Sequence, residues 1–432
     1  METILNKSRI YIDKSKTKSI LLTIYLVFQY ILIYLGLFSI IPTIISYIMN
    51  AIIIMFLDKD EIFYFLVGLA PFAGIYNFGP GASSLFTFLF LESNIILFIK
   101  QEKNDFNVYI LIFTFAIFVF LRFAFDYQNI IKLVCNLLLI YFFVSNSIDV
   151  KKLLFFFTFG LLSSSILGFY KETIPELAQY YSDFNYYSLS GKARFSGLMQ
   201  DPNYYTIALF VVLFTSLLLY YNNVINIIFW IIFLIFSSFG FLTVSKSFIL
   251  MYIIFIIILF TILIKKRKKI QLIFFLILIE IFLTLSLSGK INILNLFYKR
   301  LFETNNTTFL TGRDLIWKEY LEFFKQNPLY LITGVNPKLG LVDNRSAHNL
   351  YIEMIYHLGI IGSLLLINVF VYVFVTYKKI NRYKILNYVP LFVILSMAFF
   401  LSLLFNYLFS IYIIFIYSLL NLKLNSGGNP NA

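Results

Sequence analysis

Residues 247–264 read SFILMYIIFIIILFTILI, and this stretch decides the fold class. It contains no charged residue and is followed by the basic run Lys265-Lys266-Arg267-Lys268-Lys269. A bilayer-spanning helix needs about 20 mostly apolar residues, because each backbone polar group must be bonded within the segment where water is absent. The stretch therefore predicts a membrane-spanning helix with a basic anchor at its end.

The rest of the chain repeats this pattern. Of its 432 residues, 60% are hydrophobic and only 13% are charged, which is typical of membrane proteins. The hydropathy rule predicts an all-α, polytopic helical membrane protein with about fourteen spans, or twelve, since the turns between the first four are short. The expected spans are 19–36, 38–57, 61–77, 83–99, 106–124, 129–146, 153–170, 204–222, 224–244, 247–264, 270–287, 349–376, 386–403 and 405–421.

The net charge of +13 does not indicate a nucleic-acid partner, because the basic residues cluster where spans end. The positive-inside rule explains them better. It places the N-terminus, Lys151-Lys152, the run 265–269 and the cluster 378–384 in the cytoplasm, with an even number of predicted spans between each pair. This topology predicts one polytopic membrane domain over 1–432, with two structured external loops at 171–203 and 288–348.

The larger loop contains a predicted amphipathic helix. Thr311 can cap it, Asn327-Pro328 ends it, and apolar residues recur at helical spacing at Ile316, Trp317, Tyr320, Leu321 and Phe324. Such a helix is expected along the membrane surface, with Trp317 in the interface.

Arg313 falls in the first turn of this helix, where a cation is disfavoured by the helix dipole. An anion bound nearby would explain it, since a guanidinium and free helix-end donors together suit a phosphate. The alternative is that Arg313 pairs with Asp314 or Glu319, or is simply solvated.

The smaller loop has two cations that helix capping does not explain, Lys192 and Arg194. Asp201 as cap and Pro202 at the first helical position make a conventional helix start. Lys192 and Arg194 could hold a pyrophosphate or contact phospholipid headgroups. Lys246, in a short turn, joins this basic set or extends to headgroups.

The chain has two histidines, His348 and His357. His348 lies beside Arg345 where the larger loop enters the next span, and a helix start keeps its imidazole neutral, which suits a general base. The alternative is an interfacial histidine bonded to the backbone. His357 lies one turn after Glu353, and we expect a structural pair.

No phosphate-binding glycine loop, paired nucleotide-sugar carboxylates or histidine-rich metal cluster appears in the sequence, so no cofactor and no metal are expected. An activated lipid-linked sugar requires neither. Its pyrophosphate leaving group can be stabilised by cations, and a base must remove the proton of the acceptor hydroxyl.

Four segments together resemble the O-antigen polymerase/ligase superfamily. In chain order they are RFSGLMQDPN (194–203), TVSK (243–246), GRDLIW (312–317) with Asn327-Pro328, and HNLYIEMIYHLGIIG (348–362). Lys246 is one departure, because many relatives have arginine there.

The resemblance implies a GT-C-like membrane fold and inverting, metal-independent glycosyl transfer from an undecaprenyl-pyrophosphate donor. Arg194 and Arg313 would bind the donor pyrophosphate, and His348 would activate the acceptor hydroxyl or help to place the donor. The expected substrate contacts are Arg345, Lys246, Asn349, Tyr351, Lys192 and Asn203. The site would face the outside of a bacterial cytoplasmic membrane.

Polymerases and ligases share these motifs, and we favour a polymerase of an O-antigen, capsule or exopolysaccharide, because no feature indicates a dedicated lipid-core acceptor. Its expected partners are lipid-linked oligosaccharide donor and acceptor, membrane lipids, and a flippase and chain-length regulator. A lipid-oligosaccharide flippase or other transporter is the alternative from another class, and it predicts charges along a central cavity. A membrane scaffold would make His348 dispensable.

Overall fold

The computed structural model describes residues 2–79, 84–101, 105–122, 127–146, 148–171, 173–181, 194–199, 201–287, 313–335, 342, 346–377, 388, 391–392, 395–396, 398, 406 and 408–421. Across these residues all regular structure is helical and there is no β-strand. The predicted all-α class is therefore confirmed. Much of both predicted external loops, including Lys192 and Arg345, lies outside the described residues.

The described α-helices are α1 (Glu2–Leu35), α2 (Ile40–Phe56), α3 (Lys59–Leu69), α4 (Leu85–Lys100), α5 (Phe106–Arg122), α6 (Tyr127–Ser145), α7 (Val150–Gly168), α8 (Pro175–Ala178), α9 (Pro202–Tyr221), α10 (Ile227–Leu242), α11 (Lys246–Lys265), α12 (Lys269–Leu287), α13 (Arg313–Gln326), α14 (Pro328–Thr333), α15 (Leu350–Thr376) and α16 (Leu408–Leu420). Short 3-10 helices cover Ala70–Phe72 and Gln179–Tyr181.

Within the described residues, five helical segments are long and apolar enough to cross a membrane: Lys16–Leu35, Val150–Gly168, Pro202–Tyr221, Lys246–Lys265 and Leu350–Thr376. Shorter apolar helices include Ile40–Phe56, Phe106–Leu121, Asn129–Ser145, Ile227–Leu242, Lys269–Leu278 and Leu408–Leu420. These features make the chain a helical membrane protein. The predicted fourteen spans stay a prediction.

The span predicted at 61–77 is shorter as an α-helix than the hydropathy pattern suggested. Helix α3 ends at Leu69, and a 3-10 turn over Ala70–Phe72 follows. Pro71 explains the change, because a proline ring has no N–H to donate to an α-helical hydrogen bond.

By backbone contacts the chain divides into two compact units. Unit 1 comprises Met1–Glu102, Asn146–Asp183 and Gly197–Gln200; unit 2 comprises Lys103–Ser145, Phe184–Ser196 and Asp201–Ala432.

In unit 1, α3 packs against α7 through two glycines. A Cβ on Gly160 would lie 2.1 Å from the carbonyl oxygen of Gly68, so the two backbones touch directly. The same oxygen accepts a 2.8 Å hydrogen bond from the Tyr30 hydroxyl. Small residues at a helix crossing allow this approach, which is common between membrane helices.

In unit 2, α9 is the central helix. Almost all of its side chains are buried, and it packs against α10, α11 and α16. A helix buried on all sides is expected inside a membrane bundle. Because α9 is held on several sides, its first residues have a defined position, and the candidate site lies at that end.

Helix α15 is broken at Gly359, which has φ 65° and ψ −179°. Gly334, with φ 79°, packs against this break: a Cβ on Gly359 would lie 2.3 Å from the amide nitrogen of Gly334. The next amide, that of Val335, donates a 2.7 Å hydrogen bond to the carbonyl of Tyr356. The kink in α15 is therefore where the segment following α14 docks.

Helix α13 packs against the first part of α15. Its Tyr320 and Phe324 are buried with Val335, Ala347 and Tyr356. The indole nitrogen of Trp317 donates a 2.8 Å hydrogen bond to the carbonyl oxygen of Ala347, which satisfies its polar N–H. The position of Trp317 in a membrane interface stays a prediction.

We predict that Gly359→Ala lowers the thermal stability of the purified protein. The backbone conformation at Gly359 is one that only glycine adopts readily, and the new methyl group would meet backbone atoms of the α14 segment, so the loss should exceed ~1 kcal/mol. Melting in detergent measures it. Ile361→Ala, at a side chain that is exposed in the structure, is the control, and equal melting temperatures for the two variants would contradict the role of the kink.

Candidate functional site

The starts of α9 and α11 are joined by side chains. Asp201 caps α9, its Oδ1 accepting a 2.6 Å hydrogen bond from the Asn203 amide, as the sequence predicts. The Oδ1 of Asn203 accepts a 3.0 Å hydrogen bond from the hydroxyl of Ser245, the residue before α11. The N-termini of α9 and α11 therefore lie side by side.

Arg194 is fixed against the turn that precedes α11. The side chain is buried, with 7% exposed, and its Nε donates a 3.0 Å hydrogen bond to the carbonyl oxygen of Thr243. The next amide, that of Phe195, donates to the carbonyl of Leu242 at 3.3 Å. The Phe195 ring stacks on Phe239. The segment that begins at Arg194 is thus attached to the end of α10.

The same turn is strained at Val244, which has φ 46°. A β-branched residue in the left-handed region is unusual and needs support from its surroundings. Thr243 supplies part of it, donating to the Gly240 carbonyl at 2.7 Å and accepting from the Ser245 amide at 3.2 Å. Lys246 follows as the first residue of α11 and is half-buried; it lies in the helix rather than in the turn where the sequence analysis placed it.

Arg313 is the first residue of α13 and is half-buried. Loss of hydration lowers its pKa, and the nearby carboxylate of Asp201 acts in the opposite direction. A guanidinium remains protonated in proteins in spite of such shifts. Arg313 is therefore a fixed positive charge close to the start of α9.

His348 lies two residues before α15 and takes the left-handed conformation, with φ 46°. Its side chain is exposed at the surface, yet the surrounding protein removes enough hydration to lower its pKa from the ordinary value of 6.5. Arg313 lowers this pKa further, and Asp201 opposes the shift. The imidazole is therefore neutral at pH 7 and able to accept a proton.

Asn349 and Tyr351, both predicted to contact substrate, have structural partners. Asn349 is buried and caps α15, its Oδ1 accepting from the amides of Tyr351 and Ile352 at 3.0 and 3.2 Å. The Tyr351 hydroxyl donates to the carbonyl of Leu395 at 3.0 Å. Their contact with substrate stays a prediction.

The structure thus brings Arg313 and His348 together in unit 2. The carboxylate of Asp201 is near enough to both groups to affect the pKa of each. Arg194 lies at the Thr243 turn, which the Ser245–Asn203 bond connects to the start of α9. The starts of α9, α11, α13 and α15 all contribute to this region, which we call the four-start site.

From the sequence, Asp201 has only a capping role and Ser346 has none. In the structure Asp201 also acts on Arg313 and His348, and the Ser346 hydroxyl bonds to Glu353 at 2.5 Å. The one sequence signal for these additional roles is that both segments are polar. Among the described residues, no group of three or more His, Cys, Asp or Glu side chains is arranged to hold a metal ion.

We predict that Arg313→Gln raises the pKa of His348 and that Asp201→Asn lowers it, because the first change removes a repelling cation and the second an attracting anion. Titration of isotope-labelled histidine by NMR measures both shifts, and a His357→Gln variant assigns the second histidine signal. Unchanged titration in both variants would show that the three groups are not neighbours.

Residues 231–367 match the family model described as O-antigen ligase. This range contains the Thr243 turn, Arg313, Trp317 and His348, whereas Arg194 and Asp201 precede it. No curated protein and no solved structure matches the chain. The match agrees with the resemblance found in the motifs: residues 231–367 are similar to the O-antigen ligase family model.

Proposed function

We propose that this protein is a polysaccharide polymerase that joins undecaprenyl-pyrophosphate-linked oligosaccharide repeat units by inverting, metal-independent glycosyl transfer. The family match supports the general part of this proposal, a membrane enzyme of the glycosyl-transfer type. The donor, the acceptor and the products are our inference.

The observation that carries the proposal is the placing of Arg313 and His348 at neighbouring helix starts. The helix dipole makes the start of a helix positive, and Arg313 adds a full charge, so the four-start site suits an anion. A pyrophosphate is the anion that an activated lipid-linked sugar provides. A neutral histidine beside the anion site supplies the base that the acceptor requires.

In the proposed reaction, His348 takes the proton of the acceptor hydroxyl as its oxygen attacks the anomeric carbon of the donor sugar. The bond between that carbon and the pyrophosphate oxygen breaks, and its electron pair leaves on the lipid pyrophosphate. Attack from the face opposite the leaving group inverts the anomeric configuration. Arg313 stabilises the charge that develops on the leaving oxygen, and Arg194 and Lys246 are proposed as further contacts.

The charges around His348 would change when the donor binds. In the free protein Arg313 lowers the pKa of His348. A bound pyrophosphate would neutralise much of that cation, and the remaining effect of Asp201 favours the imidazolium. Donor binding would therefore make His348 a stronger base just when a substrate is in place.

We further propose a GT-C-like arrangement, with the protein multi-pass in the bacterial cytoplasmic membrane and the four-start site on its outer side. The product would be an O-antigen, capsule or exopolysaccharide. A flippase would supply the donor from the inner leaflet, and a chain-length regulator is a further proposed partner.

A ligase is the second candidate, because the matched family is described as O-antigen ligase. It would use the same donor chemistry and transfer the glycan to a different acceptor. A flippase would bind the lipid-linked sugar without breaking a bond. Such transport does not require a proton-accepting histidine beside the anion site.

We predict that purified protein in lipid, given only undecaprenyl-pyrophosphate repeat units, forms longer lipid-linked glycans. His348→Ala and Arg313→Ala should each reduce the rate by at least about a hundredfold, as losses of a general base and of a charge-stabilising donor do. Gel analysis of the glycan ladder measures the product. Lys325→Ala, which removes an exposed cation at the other end of α13, should leave the ladder unchanged.

An unchanged ladder in both site variants would refute the site assignment. Lipid-linked sugar that moves between leaflets without becoming longer would support the flippase. Transfer only after addition of a lipid-core acceptor would support the ligase.

A further inference from the structure

The peptide group between Ala347 and His348 is held at both of its polar atoms. The indole nitrogen of Trp317 donates to the Ala347 carbonyl oxygen at 2.8 Å. The amide of His348 donates to the Ser346 hydroxyl oxygen at 3.3 Å. A peptide is planar, so the two bonds together define the orientation of the group from which the His348 side chain projects.

The Ser346 hydroxyl is itself oriented by a carboxylate. It donates a 2.5 Å hydrogen bond to Oε1 of Glu353, which lies in the first turn of α15 and has only 6% of its surface exposed. A hydrogen bond to a carboxylate is stronger than one between neutral groups. With its proton directed to Glu353, the hydroxyl presents a lone pair to the His348 amide.

His348 needs this support because its backbone is in the left-handed region, with φ 46°. That conformation is uncommon for residues other than glycine and persists only when neighbouring structure imposes it. If the peptide were released, the backbone at His348 would relax toward an extended conformation. The imidazole would then leave the neighbourhood of Arg313.

Trp317 also connects the two functional residues, Arg313 and His348. It lies four residues after Arg313, so the two side chains are neighbours on one face of α13. The indole therefore links the helix that carries Arg313 to the peptide that carries His348.

We propose that Trp317, Ser346 and Glu353 are positioning residues, which hold the His348 imidazole beside Arg313 so that base and anion site meet the same substrate. The catalytic part of this inference rests on the proposed glycosyl transfer. The geometric part can be measured without it.

Trp317 also contributes to packing, since it lies against the cluster of Tyr320, Phe324 and Tyr356. Trp317→Phe keeps an aromatic ring in that cluster and removes only the indole N–H. Trp230→Phe is the matched control, because Trp230 is the other tryptophan of the chain and packs between Phe229, Phe233 and Phe274.

The first measurement is the pKa of His348, by NMR titration of labelled histidine. Within the part of the chain that the structure describes, the charged groups that act on this imidazole are Arg313, from α13, and Asp201, at the start of α9. Trp317→Phe should raise the pKa of His348 toward 6.5, because the imidazole of His348 moves into water and away from Arg313. Trp230→Phe should leave it where it is.

The second measurement is the pH dependence of glycan lengthening. Trp317→Phe should lower kcat about tenfold, because it removes one hydrogen bond that positions His348, and the contribution of one hydrogen bond corresponds to about this factor in rate. The KM for the donor should change little. The acidic limb of the profile should shift to higher pH with the pKa of His348. A loss of folded protein alone would lower the rate without moving that limb.

Glu353 provides an independent pair of variants. Glu353→Gln keeps an oxygen that can accept from Ser346 and should retain most of the activity. Glu353→Leu removes the acceptor and should reproduce the pKa and kcat changes of Trp317→Phe.

If Trp317→Phe and Glu353→Leu both keep the His348 pKa and the kcat of the parent protein, the positioning role is overturned. If the parent protein does not lengthen glycans but Trp317→Phe still shifts the His348 titration, the proposed function fails while the geometric inference stands.

Discussion

An α-helix leaves its first N–H groups without partners inside the helix, and it therefore begins in a region of positive potential. In this protein the starts of α9, α11, α13 and α15 contribute to one site, and Arg313 adds a full charge to it. The positive ends of these helices repel one another and repel the Arg313 guanidinium, so the arrangement is favourable only when anions lie nearby. Asp201 provides one, and a bound pyrophosphate would provide the rest.

The helices around this site make its geometry rigid. Helix α9 is buried almost throughout, and the docking of Gly334 on the Gly359 kink fixes α14 relative to α15. At the site, Val244 and His348 take left-handed backbone conformations. Hydrogen bonds that Thr243 and Trp317 donate, and that Thr243 and Ser346 accept, support these segments. Catalysis by preorganised charges requires this kind of support, because the groups must not reorient during the reaction.

Hydropathy predicted the all-helical class, since long apolar runs cannot satisfy their backbone groups in a membrane in any other open-chain form. It did not predict the early end of α3 at Leu69, before Pro71, nor the kink at Gly359, because a proline or glycine in a span is tolerated in several ways. The motifs indicated Arg313 and His348 individually. Their proximity depends on contacts between segments far apart in the chain, as do the second role of Asp201 and the hydrogen bond of Trp317. Spacing placed the Trp317 indole on the apolar face of its helix, but it could not identify the Ala347 carbonyl as the acceptor of its N–H.

The central claim is that the four-start site binds pyrophosphate. Equilibrium binding of undecaprenyl pyrophosphate, compared with undecaprenol, to the protein in nanodiscs tests it without requiring catalysis. We expect the pyrophosphate lipid to bind at least about tenfold more tightly than the alcohol, a difference of ~1.4 kcal/mol, and Arg313→Gln to remove most of this preference. Equal affinity for the two lipids, or a preference that survives in Arg313→Gln, would contradict the account.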